Sequence, residues 1–368
     1  MKLGIADRAR RTGEWLKCKF VSGGMVLLYH RVADLASDPQ LLAVKPQHFA
    51  DHLEIVKRKC NPVSLKELVG GLKEKTLPEH PVAVTFDDGY ADNLANAQPL
   101  LRRYGVPATV FVTARYVGSG REFWWDELER LILEPAFLPE RLQLDKPNGG
   151  SLMWELGRED LHKPDAYRSW NVQLSENSTP RHTLYRSLCD LLRPLPEPSR
   201  VDVLEYIQKW AGAGSAGRPT HLPLASEELK RLDQEELVEI GAHTCTHALL
   251  SNLSKAEQKK EVQGSKKVLE EILGHAVSSF AYPFGGRVDY TAETVEVVRQ
   301  AGFELACANF PGTVWRRSDC FQLPRFLVRD WDGETFERWL SGLAYAPSRS
   351  RTRRSSGWLP ACPRSRCR

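Results

Sequence analysis

Short apolar runs alternate with segments of helical spacing along most of this chain. The run 82–86 is apolar or β-branched and ends abruptly in two aspartates and a glycine, as expected of a buried strand that stops at a polar edge. A helical pattern over 91–104 and a second strand pattern over 106–113 follow it. Strand, helix and strand in this order predict a βαβ unit and therefore a parallel sheet.

The same alternation continues on both sides of this unit. Further strands are predicted over 24–32, 238–242, 278–282, 303–308 and 321–328, and further helices over 46–60, 65–72, 227–232, 254–273, 291–301 and 334–343. Ser64 and Glu67 have the spacing of a capping box at the start of one helix. Because polar residues gather at strand ends, the pattern predicts an α/β fold, either a (β/α) barrel or a barrel-like sheet.

Three segments depart from this alternation. Residues 118–225 are rich in Pro, Arg, Glu and Trp with short helical pieces, which predicts a mostly helical insertion. Residues 1–22 predict a basic helix or arm, and the Ser-, Arg-, Pro- and Cys-rich tail 346–368 is expected to be disordered. The expected catalytic domain is therefore 23–345, with the insertion inside it.

Composition and charge argue for an ordinary globular protein and against a nucleic-acid-binding one. The 368 residues are 42% hydrophobic and 27% charged, which is ordinary for a globular protein with a sizeable core. The net charge is +4, but the seven arginines of the tail account for more than this excess and leave −3 for the rest. The basic face that nucleic-acid binding requires is therefore not evident, and no nucleic-acid partner is expected.

Cysteine and hydropathy patterns bear on the compartment. The eight cysteines form no CxxC pair, which argues against a disulfide framework and a structural zinc site. No stretch approaches the roughly 20 apolar residues of a transmembrane helix, and no secretory signal is evident. We therefore expect a cytoplasmic protein. The basic segment 1–22 is read as a solvated leading helix, with peripheral contact to an anionic membrane as the alternative.

Carboxylates and imidazoles at predicted strand ends suggest a metal site. Asp87 and Asp88 follow a buried strand, and two like charges this close favour a neutralising cation. His243 and His247 are four residues apart, so on one helical turn they would share a face and grip one ion. With Asp88 they offer two nitrogens and one oxygen and leave coordination positions free. The alternatives are an ordinary Asp-Asp-Gly turn and a pair of surface histidines.

Three motifs together resemble those of a known family. Thr85-Phe-Asp-Asp-Gly89, His243-Thr-Cys-Thr-His247 and Tyr282-Pro-Phe-Gly285 are similar to the first three motifs of the polysaccharide deacetylases, the family 4 carbohydrate esterases that include chitooligosaccharide and exopolysaccharide deacetylases. The resemblance covers about 26–343 apart from the insertion. It implies a distorted (β/α)7 barrel and removal of acetyl groups, usually N-acetyl, from an acetylated polysaccharide or oligosaccharide.

The resemblance also implies roles for individual residues. Asp87 resembles the general base, and Asp88, His243 and His247 resemble the ligands of a divalent metal, with Zn the first choice and Mn, Co or Ni the alternatives. The third motif implies that the backbone N–H of Phe284 stabilises the oxyanion. Tyr282, Pro283 and Phe284 would then contact the substrate.

Two departures from the family pattern affect the proposed catalysis. The arginine that usually precedes the proline of the third motif by two residues, and orients the catalytic aspartate, is Ala281 here. Arg325 on a later strand is the expected replacement, and Asp330 is expected either to pair with Arg325 or to form an ordinary surface ion pair. The family's late histidine acid has no counterpart. His30 at the end of the first strand is the remaining candidate, more as a support for the metal ligands than as the acid.

The aromatic pair Trp124 and Trp125 has two interpretations of equal weight. Their apolar faces suit stacking against a sugar ring, and they equally suit packing of the insertion against the barrel. Within enzymes the alternatives to N-deacetylation are O-deacetylation and hydrolysis of another amide. Outside enzymes the alternative is a carbohydrate-binding relative without turnover, because the arginine and the histidine acid are missing.

Overall fold

The computed structural model describes residues 23–145, 150–157 and 164–344. The predicted basic segment 1–22 and the whole of the predicted tail 346–368 lie outside the described residues, and both stay predictions. Within the described residues, no helix is long and apolar enough to cross a membrane.

Parallel strands form the main sheet. Its eight strands are β1 (Met25–Tyr29), β4 (Asn61–Pro62), β5 (Pro81–Phe86), β6 (Ala108–Val112), β9 (Val238–Ala242), β10 (Ser279–Ala281), β11 (Leu305–Cys307) and β12 (Phe326–Leu327). Seven of them follow the order β11-β10-β9-β6-β5-β1-β12, and β4 pairs with β5 at the side. Two further strands, β2 (Arg31–Val32) and β3 (Ala43–Val44), pair with each other beside the end of β1.

Helices connect these strands. They are α1 (Pro46–Lys59), α2 (Leu65–Glu74), α3 (Gln98–Tyr104), α4 (Trp124–Leu128), α5 (Pro180–Leu192), α6 (Glu197–Ala211), α7 (Ser226–Asp233), α8 (Lys255–Leu273), α9 (Ala292–Gln300) and α10 (Gly333–Ala344). One-turn π-helices precede α3 at Asn93–Ala97 and follow α4 at Glu129–Leu133. Short 3-10 helices lie at Ala114–Tyr116, Pro164–Tyr167, Pro219–His221 and Leu250–Asn252.

The centre of the sheet is buried on both faces. All six residues of β5 and all five residues of β1 are buried, and the two strands pair in parallel over five positions. Burial on both faces explains why these strands read as continuous apolar runs rather than as alternating ones.

The segment that contains β12 closes the sheet. Leu323 donates its N–H to Ala306 (2.9 Å) and accepts the N–H of Ala308 (2.8 Å), so it adjoins β11. Phe326 and Leu327 pair with β1. The segment that contains β12 therefore contacts both β11 and β1 and closes the row of strands. This closure confirms the predicted distorted (β/α)7 barrel. Only Phe326 and Leu327 of the predicted strand 321–328 form a regular strand, because this segment leaves β11 and crosses to β1.

The segment predicted as an insertion forms its own apolar cluster over one side of the barrel. Helices α4, α5 and α6 pack together there, with Tyr185 and Leu188 among the fully buried residues. The segment also contains an antiparallel hairpin, β7 (Arg141–Asp145) with β8 (Ser151–Glu155), which the sequence analysis did not predict. The boundaries 118–225 stay a proposal.

Helix α2 begins with the predicted capping box. Ser64 Oγ accepts the N–H of Glu67 at 3.1 Å, and a carboxylate oxygen of Glu67 accepts the N–H of Ser64 at 2.8 Å. Both bonds satisfy N–H groups that have no partner within the helix.

Replacement of Ser64 by alanine should lower the free energy of unfolding by about 1 kcal/mol, because the cap bond is lost. Chemical denaturation monitored by circular dichroism measures this change. Ser187→Ala is the matched control, since that hydroxyl bonds only to the carbonyl of Thr183 inside α5. Equal stabilities for the two variants would contradict the capping argument.

Candidate active site

The residues singled out in the sequence lie at one end of the barrel. Asp87 and Asp88 directly follow β5, His243 directly follows β9, and Phe284 lies three residues beyond β10. His30 directly follows β1. These strands run parallel in one sheet, so their carboxyl ends meet at the same edge, where loops build active sites in such folds.

Three of these side chains point their ligand atoms at one another. Oδ1 of Asp88 lies 3.6 Å from Nε2 of His243 and 3.4 Å from Nε2 of His247. All three residues are buried, and Oδ1 of Asp88 has no hydrogen-bond partner. A tetrahedral cation with bonds of about 2.0–2.1 Å holds its ligands roughly 3.3 Å apart, which matches these spacings. The three residues can therefore hold one divalent metal ion.

The local environment keeps both imidazoles ready to bind a cation. Nδ1 of His243 donates to the carbonyl of Ala281 at 2.8 Å, which leaves its Nε2 with a free lone pair. Burial lowers the pKa of His243, and it lowers the pKa of His247 to about 3 with help from the charge of Arg200. Neutral imidazole is the form that binds metals.

The two histidines lie on a turn, so the prediction of one helical turn is wrong. Residues 244–246 form a turn directly after β9, and both Thr244 (φ 64°) and His247 (φ 54°) have left-handed backbone conformations. These conformations bring the two rings to a centroid separation of 5.0 Å without a helix. Asp88 (φ 74°) and Phe284 (φ 60°) are also left-handed. Such strain in non-glycine residues is concentrated at functional sites.

Two residues that the sequence analysis missed hold this turn in place. The carboxylate of Glu261 on α8 accepts the N–H groups of Cys245 (3.0 Å) and Thr246 (2.9 Å) and the hydroxyl of Thr246 (3.0 Å). Arg200 on α6 is buried and donates to the carbonyl of Thr246 at 3.2 Å. No sequence motif marks either residue, and Arg200 shows that the inserted segment supports the site directly.

Arg325 contacts the second carboxylate. Its Nη1 and Nη2 donate to the two oxygens of Asp87 at 2.6 and 2.7 Å, and its Nε donates to the carbonyl of Ala308 at 2.8 Å. Burial opposes ionisation of Asp87, but the charges of Arg325 and His243 outweigh it and lower the pKa of Asp87 to about 2. Asp87 is thus held as a carboxylate, with Oδ2 4.0 Å from Nε2 of His243.

The predicted pairing of Asp330 with Arg325 is wrong. Oδ1 of Asp330 lies 2.7 Å from Nδ1 of His48 and accepts the N–H of Lys45 at 2.9 Å. Arg325 points into the barrel and Asp330 points to the surface, so the two side chains face different environments. The alternative of an ordinary surface ion pair is the better description.

His30 lies close to both aspartates but is only half-buried. Burial lowers its pKa, and the negative charges of Asp88 and Asp87 oppose that shift. Within the described residues, His275 is the last histidine of the chain. It is exposed, and its Nε2 lies 2.7 Å from Oδ2 of Asp233, so it is not a candidate for the catalytic acid.

The third motif supplies a backbone donor and an aromatic wall. The ring of Phe284 packs edge-on against His247 at a centroid distance of 4.7 Å, under the guanidinium of Arg193. Among the described residues, none accepts a hydrogen bond from the Phe284 N–H. The side chains of Tyr282 and Pro283 are buried, and their predicted contacts with the substrate stay predictions. Tyr282 donates to the carbonyl of Phe321.

The structure favours the packing interpretation of the tryptophan pair. Trp124 and Trp125 are only 4% and 5% exposed. Trp125 stacks on Phe123 at 4.8 Å, and its ring lies edge-on to His247 at 4.9 Å. Neither indole offers an open face to a sugar, and Trp125 instead forms a wall behind one metal-ligand candidate.

Comparisons with known proteins agree with this geometry. The profile of the family described as polysaccharide deacetylase matches residues 74–136 and 205–306. YxkH of Bacillus subtilis (strain 168), whose curated name assigns it provisionally to the polysaccharide deacetylases, is 20% identical over 319 residues, 86% of this chain and 75% of that protein.

Solved structures show the same fold at low sequence identity. The Streptococcus pyogenes deacetylase PplD, solved in complex with acetate, is 16% identical with a TM-score of 0.53 over 88% of this chain and 99% of that chain. IcaB from Ammonifex degensii is 19% identical with a TM-score of 0.54 over 88% and 97%. The three motifs at one barrel end and the profile match together show a polysaccharide deacetylase domain in this chain.

Proposed function

We propose that this protein is a metal-dependent hydrolase that removes N-acetyl groups from an acetylated polysaccharide or oligosaccharide. The observation that carries the proposal is the buried Oδ1 of Asp88, which lies between two imidazole nitrogens without a hydrogen-bond partner. A second carboxylate, Asp87, stays outside this group of ligands but adjacent to it. One carboxylate to hold a cation and one to move a proton are what hydrolysis of an acetamide needs.

Asp88, His243 and His247 are the proposed ligands of the cation. Two nitrogens and one oxygen at tetrahedral spacing make Zn²⁺ the first choice, with Mn²⁺, Co²⁺ or Ni²⁺ as alternatives. When bound, such an ion supplies Lewis-acid chemistry, which polarises a carbonyl and lowers the pKa of a water.

Asp87 is the proposed general base. It accepts a proton from the attacking water while oxygen adds to the acetyl carbon, and it returns that proton to the amine nitrogen as the C–N bond breaks. Acetate and a free amine are the products. The two bonds from Arg325 hold the carboxylate in one orientation and leave a second lone pair on each oxygen. Arg325 thereby takes the role of the arginine missing at Ala281.

The Phe284 N–H is the proposed donor to the acetyl oxygen as that oxygen becomes negative. It has no acceptor among the described residues, and its residue is held in a left-handed conformation beside His247. His30 is proposed to act through its charge and position near Asp88 rather than as the acid. With no late histidine in the site, the return of the proton by Asp87 replaces the usual acid.

Two alternatives to N-deacetylation use the same site. O-deacetylation or hydrolysis of another amide would use the same residues. A carbohydrate-binding relative without turnover would explain the missing histidine acid. The bidentate contact of Arg325 with Asp87 argues against that second alternative, because it restores the support that Ala281 removes.

The proposed compartment is the cytoplasm. The five cysteines among the described residues, Cys60, Cys189, Cys245, Cys307 and Cys320, are all free thiols, which suits a reducing environment. The proposed catalytic domain remains 23–345.

Asp88→Asn should remove the metal ion held at this site and abolish acetate release, whereas Asp87→Asn should keep that ion and lower acetate release about 100-fold or more. Only Asp88 belongs to the group of ligands, so the two variants separate binding from proton transfer. Elemental analysis and acetate release from acetylated chito-oligosaccharides measure the two effects.

Asp330→Asn is the matched control, and it should leave both readouts unchanged because that carboxylate contacts His48 at the surface. Metal bound in full by Asp88→Asn would contradict the proposed site. Release of acetate from O-acetylated xylan but not from chito-oligosaccharides would favour O-deacetylation.

Arg325→Gln should move the acid limb of the pH dependence of kcat/KM to higher pH. Asp87 works only when ionised, and loss of the arginine charge raises its pKa from about 2. Arg325→Lys keeps the charge but loses the bidentate contact, so its acid limb should move less while kcat still falls. An acid limb that stays in place in both variants would show that Asp87 is not the base.

A further inference from the structure

A second group of potential metal ligands lies within the inserted segment. Asp126 on α4, Glu129 one turn later and His221 in a 3-10 helix bring their ligand atoms within 4.8 Å of one another. Their exposures are 7%, 3% and 6%. This group, called here the inner cluster, shares no residue with the site of Asp88.

The inner cluster lines a small cavity. Its volume of about 10 Å³ holds one water-sized particle. Ser37, Gln40 and Tyr185 line the same cavity and add polar oxygen atoms to its wall. The space is therefore polar and small, which suits a single ion rather than an organic ligand.

One atom of the inner cluster has no protein partner. Oε2 of Glu129 accepts a hydrogen bond from Arg218 at 3.1 Å, but the buried Oε1 has no partner at hydrogen-bonding distance. Nδ1 of His221 is engaged with the hydroxyl of Thr220 at 2.9 Å, and its Nε2 faces Oε2 of Glu129 at 3.9 Å. A buried carboxylate oxygen without a donor is costly, so an occupant of the cavity would stabilise it.

The arginines around the inner cluster, including Arg31 in the cavity wall and Arg130, are shared among several carboxylates. Arg218 faces three carboxylates, those of Glu122, Glu129 and Glu134. Arg31 is paired with Asp92. Among the described residues, Asp126 has no basic side chain at ion-pair distance and accepts only the hydroxyl of Tyr90 at 2.6 Å.

Burial raises the pKa values of the two acids in the inner cluster. Burial raises the pKa of Asp126 to about 8, although Arg31 and Tyr90 lower it in part. Burial likewise raises the pKa of Glu129 to about 7, with Arg218 and Ser37 opposing the shift.

We propose that Asp126, Glu129 and His221 form a second cation site, which binds a divalent transition metal such as Mn²⁺ or Zn²⁺. Two carboxylate oxygens and one imidazole nitrogen are a ligand set for these ions. A six-coordinate ion with bonds of about 2.2 Å places opposite ligands roughly 4.4 Å apart, close to the spread of the inner cluster. This site does not depend on the proposed catalytic activity.

The second ion would bind inside the inserted segment, next to a contact between that segment and the barrel. Tyr90, two residues beyond Asp88, donates to Asp126 and accepts the indole N–H of Trp125 at 2.8 Å. Trp125 in turn packs against His247. The site is structural in this proposal, because it acts on the catalytic end only through these contacts.

Equilibrium dialysis of the full-length chain with Mn²⁺ tests the proposal. Asp88→Asn serves as the background because it disables the first site, and Mn²⁺ is chosen because thiols bind it weakly. This background should retain one Mn²⁺ per chain, and adding Glu129→Gln should remove it. Glu134→Gln is the matched control, since Glu134 contacts Arg218 but does not belong to the inner cluster.

Thermal unfolding supplies a second readout. Mn²⁺ should raise the Tm of the Asp88→Asn protein and of its Glu134→Gln derivative, but not that of its Glu129→Gln derivative. If the latter fails to fold, His221→Gln replaces it with the same expectation. Absence of bound Mn²⁺ in the Asp88→Asn background, or its full retention after loss of Glu129 or His221, would overturn the inner site. Failure of the catalytic proposal would appear separately, as equal metal content in wild type and Asp88→Asn.

Discussion

The position of Asp88 between two imidazoles is the constraint on which the rest of the site depends. A buried carboxylate oxygen without a donor is unfavourable unless a positive charge lies beside it. The fold maintains this arrangement with left-handed backbone conformations at Asp88, Thr244 and His247, each costing of order 1–3 kcal/mol. Glu261 and Arg200 hold the strained turn by hydrogen bonds. A cation bound here would offset the free-energy cost of the unpaired carboxylate oxygen and of the strained backbone.

Two adjacent aspartates have different surroundings, which suit them to the two proposed roles. Asp87 has both oxygens bound by Arg325 and is held ionised. Asp88 has an oxygen that no protein donor satisfies, and burial raises its pKa while His30 and His243 oppose that shift. The arginine reaches Asp87 from the strand segment that closes the barrel. Ala281 in the third motif cannot hold Asp87 in this way, and Arg325 from a different part of the same fold does.

Much of the barrel and of the site could be predicted from local sequence. The strand β5 is a continuous apolar run because it is buried on both faces, and the capping box of α2 follows from Ser64 and Glu67. The grouping of Asp88 with His243 and His247 followed from the positions of these residues at strand ends and from motif resemblance.

Other features could not be predicted, for physical reasons. A spacing of four between two histidines fits a helix and a left-handed turn equally well, and the sequence between them does not decide. In the hairpin of Arg141–Asp145 with Ser151–Glu155, the first strand alternates polar and apolar residues. The segment around it is rich in charged residues, so this short alternation did not stand out as a strand pattern. Arg200 and Glu261 contact Thr246, which lies 46 and 15 residues away from them in the sequence. Contacts between such distant residues leave no local sequence pattern.

The most direct test of the central claim is anomalous X-ray scattering from crystals of the protein loaded with Zn²⁺. The account predicts an anomalous peak about 2.0–2.2 Å from Oδ1 of Asp88 and from Nε2 of His243 and of His247. Crystals that contain Zn²⁺ but show no peak among these three atoms would contradict it.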